Sequence, residues 1–77
     1  MKVKSLGKNR TEITAGDTTI LVSYSTPVAA WTRGRGYLRT TKYYSVTTSR
    51  HINEWLRDNG STGVIPVEQE ELDKLLG

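Results

Sequence analysis

Between positions 31 and 42, aromatic and cationic side chains alternate: Trp31, Arg33, Arg35, Tyr37, Arg39 and Lys42 are arranged around Gly34 and Gly36. Guanidinium groups pair with phosphates and stack on bases, and aromatic rings stack on bases as well, so the chemistry of this run is contact with an anionic ligand, nucleic acid included. A two-stranded ribbon carrying these residues would fit a groove of DNA. The glycines do not form a phosphate loop, because a G-x-x-x-x-G-K-S/T motif and a strand-to-helix context are both missing. The same residues also suit a solvated hairpin whose arginines guard its edge, with Trp31 in the core.

A second cluster lies at Thr47, Thr48, Ser49, Arg50 and His51, where hydroxyls, a cation and an imidazole meet the expected start of a helix. Open helix N–H groups there would hold a phosphate or carboxylate, although ordinary capping accounts for the hydroxyls equally well. Catalytic inventory is poor. His51 is the single histidine, and a Ser-His-Asp system would need Asp17, Asp58 or Asp73 to orient it, none of which flanks a nucleophile turn. His51 and Glu54, three apart, supply two metal ligands where a zinc site takes about four. With no cysteine, neither a thiolate site nor a disulfide framework exists. The expectation is a protein that is not an enzyme and has no metal or cofactor.

These residues must be held by a small scaffold. A chain of 77 residues fits one domain, 1–77, and at that size folding buries only about 60% of the unfolded surface. A hydrophobic fraction of 35% with 25% charged residues still closes one core. Charge is polarised along the chain. Met1 to His51 holds nine lysines and arginines against Glu12 and Asp17, a net +7, whereas Ile52 to Gly77 holds two against six acids, a net −4. The basic front half favours an anionic partner, unless the two halves neutralise each other in the fold. No apolar leader follows Met1, and no run approaches the roughly 20 residues of a membrane span, so a cytoplasmic protein without membrane contact is expected.

The front half is rich in Thr, Val, Ile and Tyr, which suit a pleated surface. Strands are expected at Lys2–Leu6, Thr11–Thr14, Thr18–Tyr24, Val28–Trp31 and Tyr37–Thr40, with Lys42–Val46 as a further short strand, giving a strand-rich part over 1–46. In the third of these, Ile20, Val22 and Tyr24 alternate with Thr19, Leu21 and Ser23. Pro27 marks a strand start, edge or bulge. Ile52, Trp55 and Leu56 share one helical face, so a helix is expected over about 48–58, capped among Thr47, Thr48 and Ser49 and ended by Asn59-Gly60. Pro66 opens a second helix over about 66–76, with Glu68, Glu70 and Glu71 near its positive end and Leu72, Leu75 and Leu76 as a stripe. Strands first and helices last predict an α+β fold: a small antiparallel N-terminal sheet of about four to five strands, packed on one side by one or two C-terminal helices.

The run Ser23-Tyr24-Ser25-Thr26-Pro27-Val28-Ala29-Ala30, followed by Thr47-Thr48-Ser49-Arg50-His51-Ile52-Asn53-Glu54-Trp55-Leu56, resembles a family of short uncharacterised proteins of phages and prokaryotic genomes. The resemblance implies a phage or prophage context and assigns no activity, cofactor or residue. Together with the missing catalytic groups, it points to a phage-type accessory or host-modulating protein that binds a host or phage macromolecule, a protein by first expectation, through the basic sheet and hairpin. The alternatives are a DNA- or RNA-binding module using Trp31 to Lys42, and a homo-oligomer associating through the C-terminal leucines.

Overall fold

The computed structural model describes residues 1–76. Five antiparallel strands follow one another as neighbours: β1 (Lys2–Gly7), β2 (Arg10–Ala15), β3 (Thr18–Ser23), β4 (Thr26–Thr32) and β5 (Gly36–Thr40). Helix α1 (Val46–Asp58) then crosses over to a short strand β6 (Ile65–Val67), which pairs in parallel with β5, and α2 (Gln69–Leu76) follows. The fold is α+β, with a sheet of six strands rather than four to five. Lys42–Val46, expected as a strand, is instead loop and the first residue of α1. Pro66 sits in the edge strand β6, where its missing N–H breaks no ladder bond, and the second helix begins at Gln69.

The main departure from expectation is that the helices cover opposite faces of the sheet. Side chains that pair across strands share a face, and two apolar groups result. Ile20, Val22, Ala30, Leu38 and Val67 pack with Leu72 of α2. Leu21, Val28 and Ala29 pack with Ile52, Trp55 and Leu56 of α1. The run Ile20-Leu21-Val22 is therefore buried on both faces, and each such side chain contributes about 1.5–3 kcal/mol. Two thin cores replace the single one that the composition suggests. Pro27 lies where the β3–β4 register shifts, so Val28 becomes an extra residue and joins the face of Leu21 and Ala29.

Helix α1 starts earlier than the triplet Thr47-Thr48-Ser49 indicates. Its N-cap is Ser45, whose Oγ accepts from the Thr48 backbone N–H at 3.1 Å. Its buried stripe is Thr48, His51, Ile52, Trp55 and Leu56. At the far end Gly60, at φ 65°, lets its N–H reach Arg57 O and the Ser61 N–H reach Leu56 O, closing the helix in a Schellman turn.

Candidate functional site

Strand order sorts the loops onto two ends of the sheet. One end collects the β2–β3 turn, the β4–β5 turn and the end of α1; the other collects the β1–β2 turn at Lys8-Asn9, the β3–β4 turn at Tyr24-Ser25, the exit from β5 and the start of α1. The run from Trp31 to Lys42 spans both. Trp31 and Tyr37 are register partners facing α1, where they pack with its apolar group. The Tyr37 ring meets Trp55 edge-on, at 5.7 Å and 74°, and its hydroxyl donates to Asn59 O at 3.3 Å. Arg39 faces the same helix and donates to Asn53 Oδ1 at 3.2 Å.

At the hairpin tip, Arg33 pairs with Asp17 at 3.4 Å and Arg35 with Glu71 of α2 at 3.2 Å. Both pairs are open to solvent, so each contributes at most about 1 kcal/mol. Lys42 lies at the other end, its ammonium 5.2 Å from the centre of the Tyr44 ring. The six residues thus do not form one surface. The acidic helix reaches Arg35 through Glu71 alone, and Lys2, Lys4, Lys8, Lys42 and Arg50 have no carboxylate partner among the described residues.

The cluster at the start of α1 also divides. Thr47 and Arg50 point to solvent and Ser49 is half-buried, whereas Thr48 and His51 turn inward. There Ser23 Oγ lies 3.0 Å from Thr48 Oγ1 and 2.9 Å from His51 Nδ1. A serine beside a histidine suggests a nucleophile, but Ser23 is 2% exposed and lies at the base of a small cleft that it lines with Thr48, Tyr24 and Tyr44. The contact fixes the imidazole instead. Burial, and then the nearby Arg10 guanidinium, lower the His51 pKa from its ordinary 6.5, outweighing Glu54, which raises it; Arg50 adds to the lowering. His51 is therefore neutral at pH 7. Among the described residues no group of three potential metal ligands comes together.

On the face of α1, a cleft of about 330 Å3 runs between the helix and the overhanging strands β1 and β2, lined by Lys4, Arg10, Glu12, His51 and Trp55 among others. Its charges are largely engaged within the protein. Glu12 Oε1 accepts from Trp55 Nε1 at 2.8 Å, and Arg10 pairs with Glu54 at 3.0 Å.

The exposed chemistry gathers at the end of the sheet that carries Lys42. Tyr24, Tyr43 and Tyr44 are 56%, 68% and 36% exposed, and Val46 beside them is 67% exposed. Tyr24 and Tyr44 bound one small cleft with Thr26 and Ser45. The backbone holds Tyr24 in place: its N–H donates to Asn9 O at 2.8 Å, and its ring lies 6.2 Å from that of His51. It occupies the first central position of the two-residue β3–β4 turn at φ 59°, a conformation that costs a side-chain-bearing residue about 1–2 kcal/mol. Lys8 is next to Asn9 in the β1–β2 turn, and exposed Arg50 is next to His51 in the first turns of α1, so both cations belong to the elements that meet Tyr24. These tyrosines are not part of the basic run or of the helix start; their signal in sequence is the doublet Tyr43-Tyr44 directly before the capping Ser45.

A family model matches residues 1–74 of the chain. The chain belongs to this family, a family of unknown function (DUF8033). The match extends from β1 into α2. Neither the curated proteins nor the solved structures hold a match to the chain. Among the described residues no helix is long and apolar enough to cross a membrane.

Proposed function

We propose that the protein is a non-catalytic binding module of the accessory type, which docks an anionic macromolecule of virus or host on the end of the sheet formed by Tyr24, Tyr43 and Tyr44. The observation that carries this reading is the joint exposure of three tyrosines beside Lys42, at the end opposite the paired arginine tip. Tyrosine is favoured at contact surfaces because it offers a large ring and a polar tip while ordering only two torsions. The engagement of Ser23, 2% exposed, with both Thr48 and His51 in the packed interior supports a role without chemistry. A chain without cysteine suits the cytoplasm, and an accessory protein of the phage type acts there by occupying a partner's surface.

A photo-reactive amino acid at position 43, compared with one at Glu70 on the exposed side of α2, tests this reading. Irradiation in cells is expected to give a discrete adduct from position 43 and none from position 70. Digestion of the adduct with nuclease or protease then reveals the class of partner. Equal yields from the two positions, or no adduct from position 43, would remove the proposed surface.

A further inference from the structure

We infer that the partner of the tyrosine-lined end is single-stranded nucleic acid, with bases stacking on Tyr43 and Tyr24 while Lys8, Lys42 and Arg50 meet the phosphates. The inference rests on the proposed contact surface and names the chemistry of its ligand.

Contacts bring the turns and the helix start that carry these groups to one end. Tyr24 and Tyr44 share a cleft of about 240 Å3. Lys42 stands over the Tyr44 ring, and Tyr43 lies between them in the chain with 68% of its surface open. Asn9 ties the Lys8 turn to the Tyr24 backbone, and His51 ties the first turns of α1, with Arg50, to the Tyr24 ring.

Charge separation favours a polyanion. Asp17, Asp58 and Glu71 pair with Arg33, Arg57 and Arg35 away from the tyrosines, and Glu54 is held by Arg10. Asp73 lies on α2, which packs on the opposite face from α1 and starts at this end, where Gln69 Nε2 donates to Pro27 O at 2.7 Å. Glu68, just after β6 and next to the exit from β5, and Glu70, in the first turn of α2, are the acids at this end without an ion-pair partner among the described residues, against the three cations Lys8, Lys42 and Arg50.

The make-up of the patch separates nucleic acid from protein as the ligand. A protein-binding centre is an apolar area that excludes water and is depleted in lysine. Here the aliphatic contribution is Val46 alone, and a lysine stands over one of the rings. Exposed rings with cations beside them form the arrangement on which unpaired bases stack while the backbone follows the charge. A duplex keeps its bases stacked on one another, so it offers this surface phosphates only.

Fluorescence anisotropy with labelled single strands of DNA and RNA, and with a duplex of equal length, tests the inference. Single strands are expected to bind in the micromolar range at low salt and the duplex more weakly. Three phosphate contacts give a slope of log affinity against log salt of about −2, reduced by about 0.7 in Lys42→Ala. Tyr43→Ala is expected to weaken binding roughly 5- to 150-fold, while Tyr43→Phe, which keeps the ring, binds like the parent. Tyr43 is exposed, so unchanged far-ultraviolet circular dichroism of both variants shows that folding is intact.

Absence of single-strand binding at low salt overturns the inference; if position 43 then cross-links to a protein, the proposed contact surface stands and only its ligand is wrong. Binding that ignores Tyr43→Ala and is lost in Arg33→Ala with Arg35→Ala moves the ligand to the hairpin tip, and both statements fall.

Discussion

Tyr24 carries a strained backbone in an exposed turn, and the strain can be measured by replacing it in two ways. Tyr24→Ala removes the ring but keeps a Cβ at φ 59°. Tyr24→Gly removes the ring and also relieves about 1–2 kcal/mol of left-handed strain. Glycine gives back about 0.5–1 kcal/mol because it frees the unfolded chain. The glycine variant is therefore expected to be the more stable of the two by roughly 0.5–1 kcal/mol. At Tyr43, where φ is not positive, the order reverses by a similar amount. Urea unfolding followed by fluorescence of Trp31 and Trp55 reads this difference as a shift in midpoint at constant slope. With Tyr24 being 56% exposed, loss of its ring costs only part of a buried aromatic's contribution, and Tyr24→Gly should lie close to the parent. If alanine equals or exceeds glycine at position 24, the turn is not strained and no functional reason for a tyrosine there is needed. If the expected order is found, the tyrosine is retained at a cost in stability, which fits a residue kept for contact.

Other outcomes follow from the same contacts. Ser23→Ala leaves buried Thr48 and His51 without their shared hydroxyl and is expected to cost about 1–3 kcal/mol in urea unfolding. The His51 pKa is lowered in the fold, so above its ordinary 6.5 both folded and unfolded states are neutral and stability is complete. As pH falls below 6.5 the unfolded chain takes up a proton first, and stability declines until the lower folded value is passed. His51→Gln should abolish that decline between about pH 7 and 5, because the chain has no second histidine and ordinary carboxylates titrate near pH 4. Leu72, fully buried on the sheet-facing side of α2, should cost about 2–5 kcal/mol as alanine. Glu71→Gln, which breaks an exposed pair with Arg35, should change the midpoint by less than about 1 kcal/mol.

Strands β1 to β5 can be read from the chain because β-branched runs and turn glycines act locally: Thr18–Ser23 is dense in such residues, and Gly16 and Gly36 take the positive φ their turns need. The two-sided burial of the sheet was also written in Ile20-Leu21-Val22, since a continuous apolar run is the mark of a strand covered on both faces, yet alternation alone assigns it one buried face. Strand β6 is hidden because Ile65-Pro66-Val67 is short and its proline reads equally as a helix start; only pairing with β5 decides it. Ser45 loses to Thr47, Thr48 and Ser49 as a cap in any local reading, and the tertiary inward turn of Thr48 and His51 settles the phase of α1. The contact end depends on a register shift at Val28, which makes Tyr24-Ser25 a tight turn instead of strand, and on strand order, which brings positions 8, 24 and 43 to one end. Neither is a property of neighbouring residues. The arginine run stands out in sequence because of its composition, but the partners Asp17 and Glu71, distant in the chain, are visible only in the fold.

Backbone amide shifts in nuclear magnetic resonance during titration with a short single-stranded oligonucleotide read most directly where the protein is touched. The largest changes are expected at Asn9, Tyr24, Lys42, Tyr43 and Tyr44, with the Arg33 to Arg35 tip unaffected. Changes centred on that tip, or on the outer face of α2, would contradict the proposed surface.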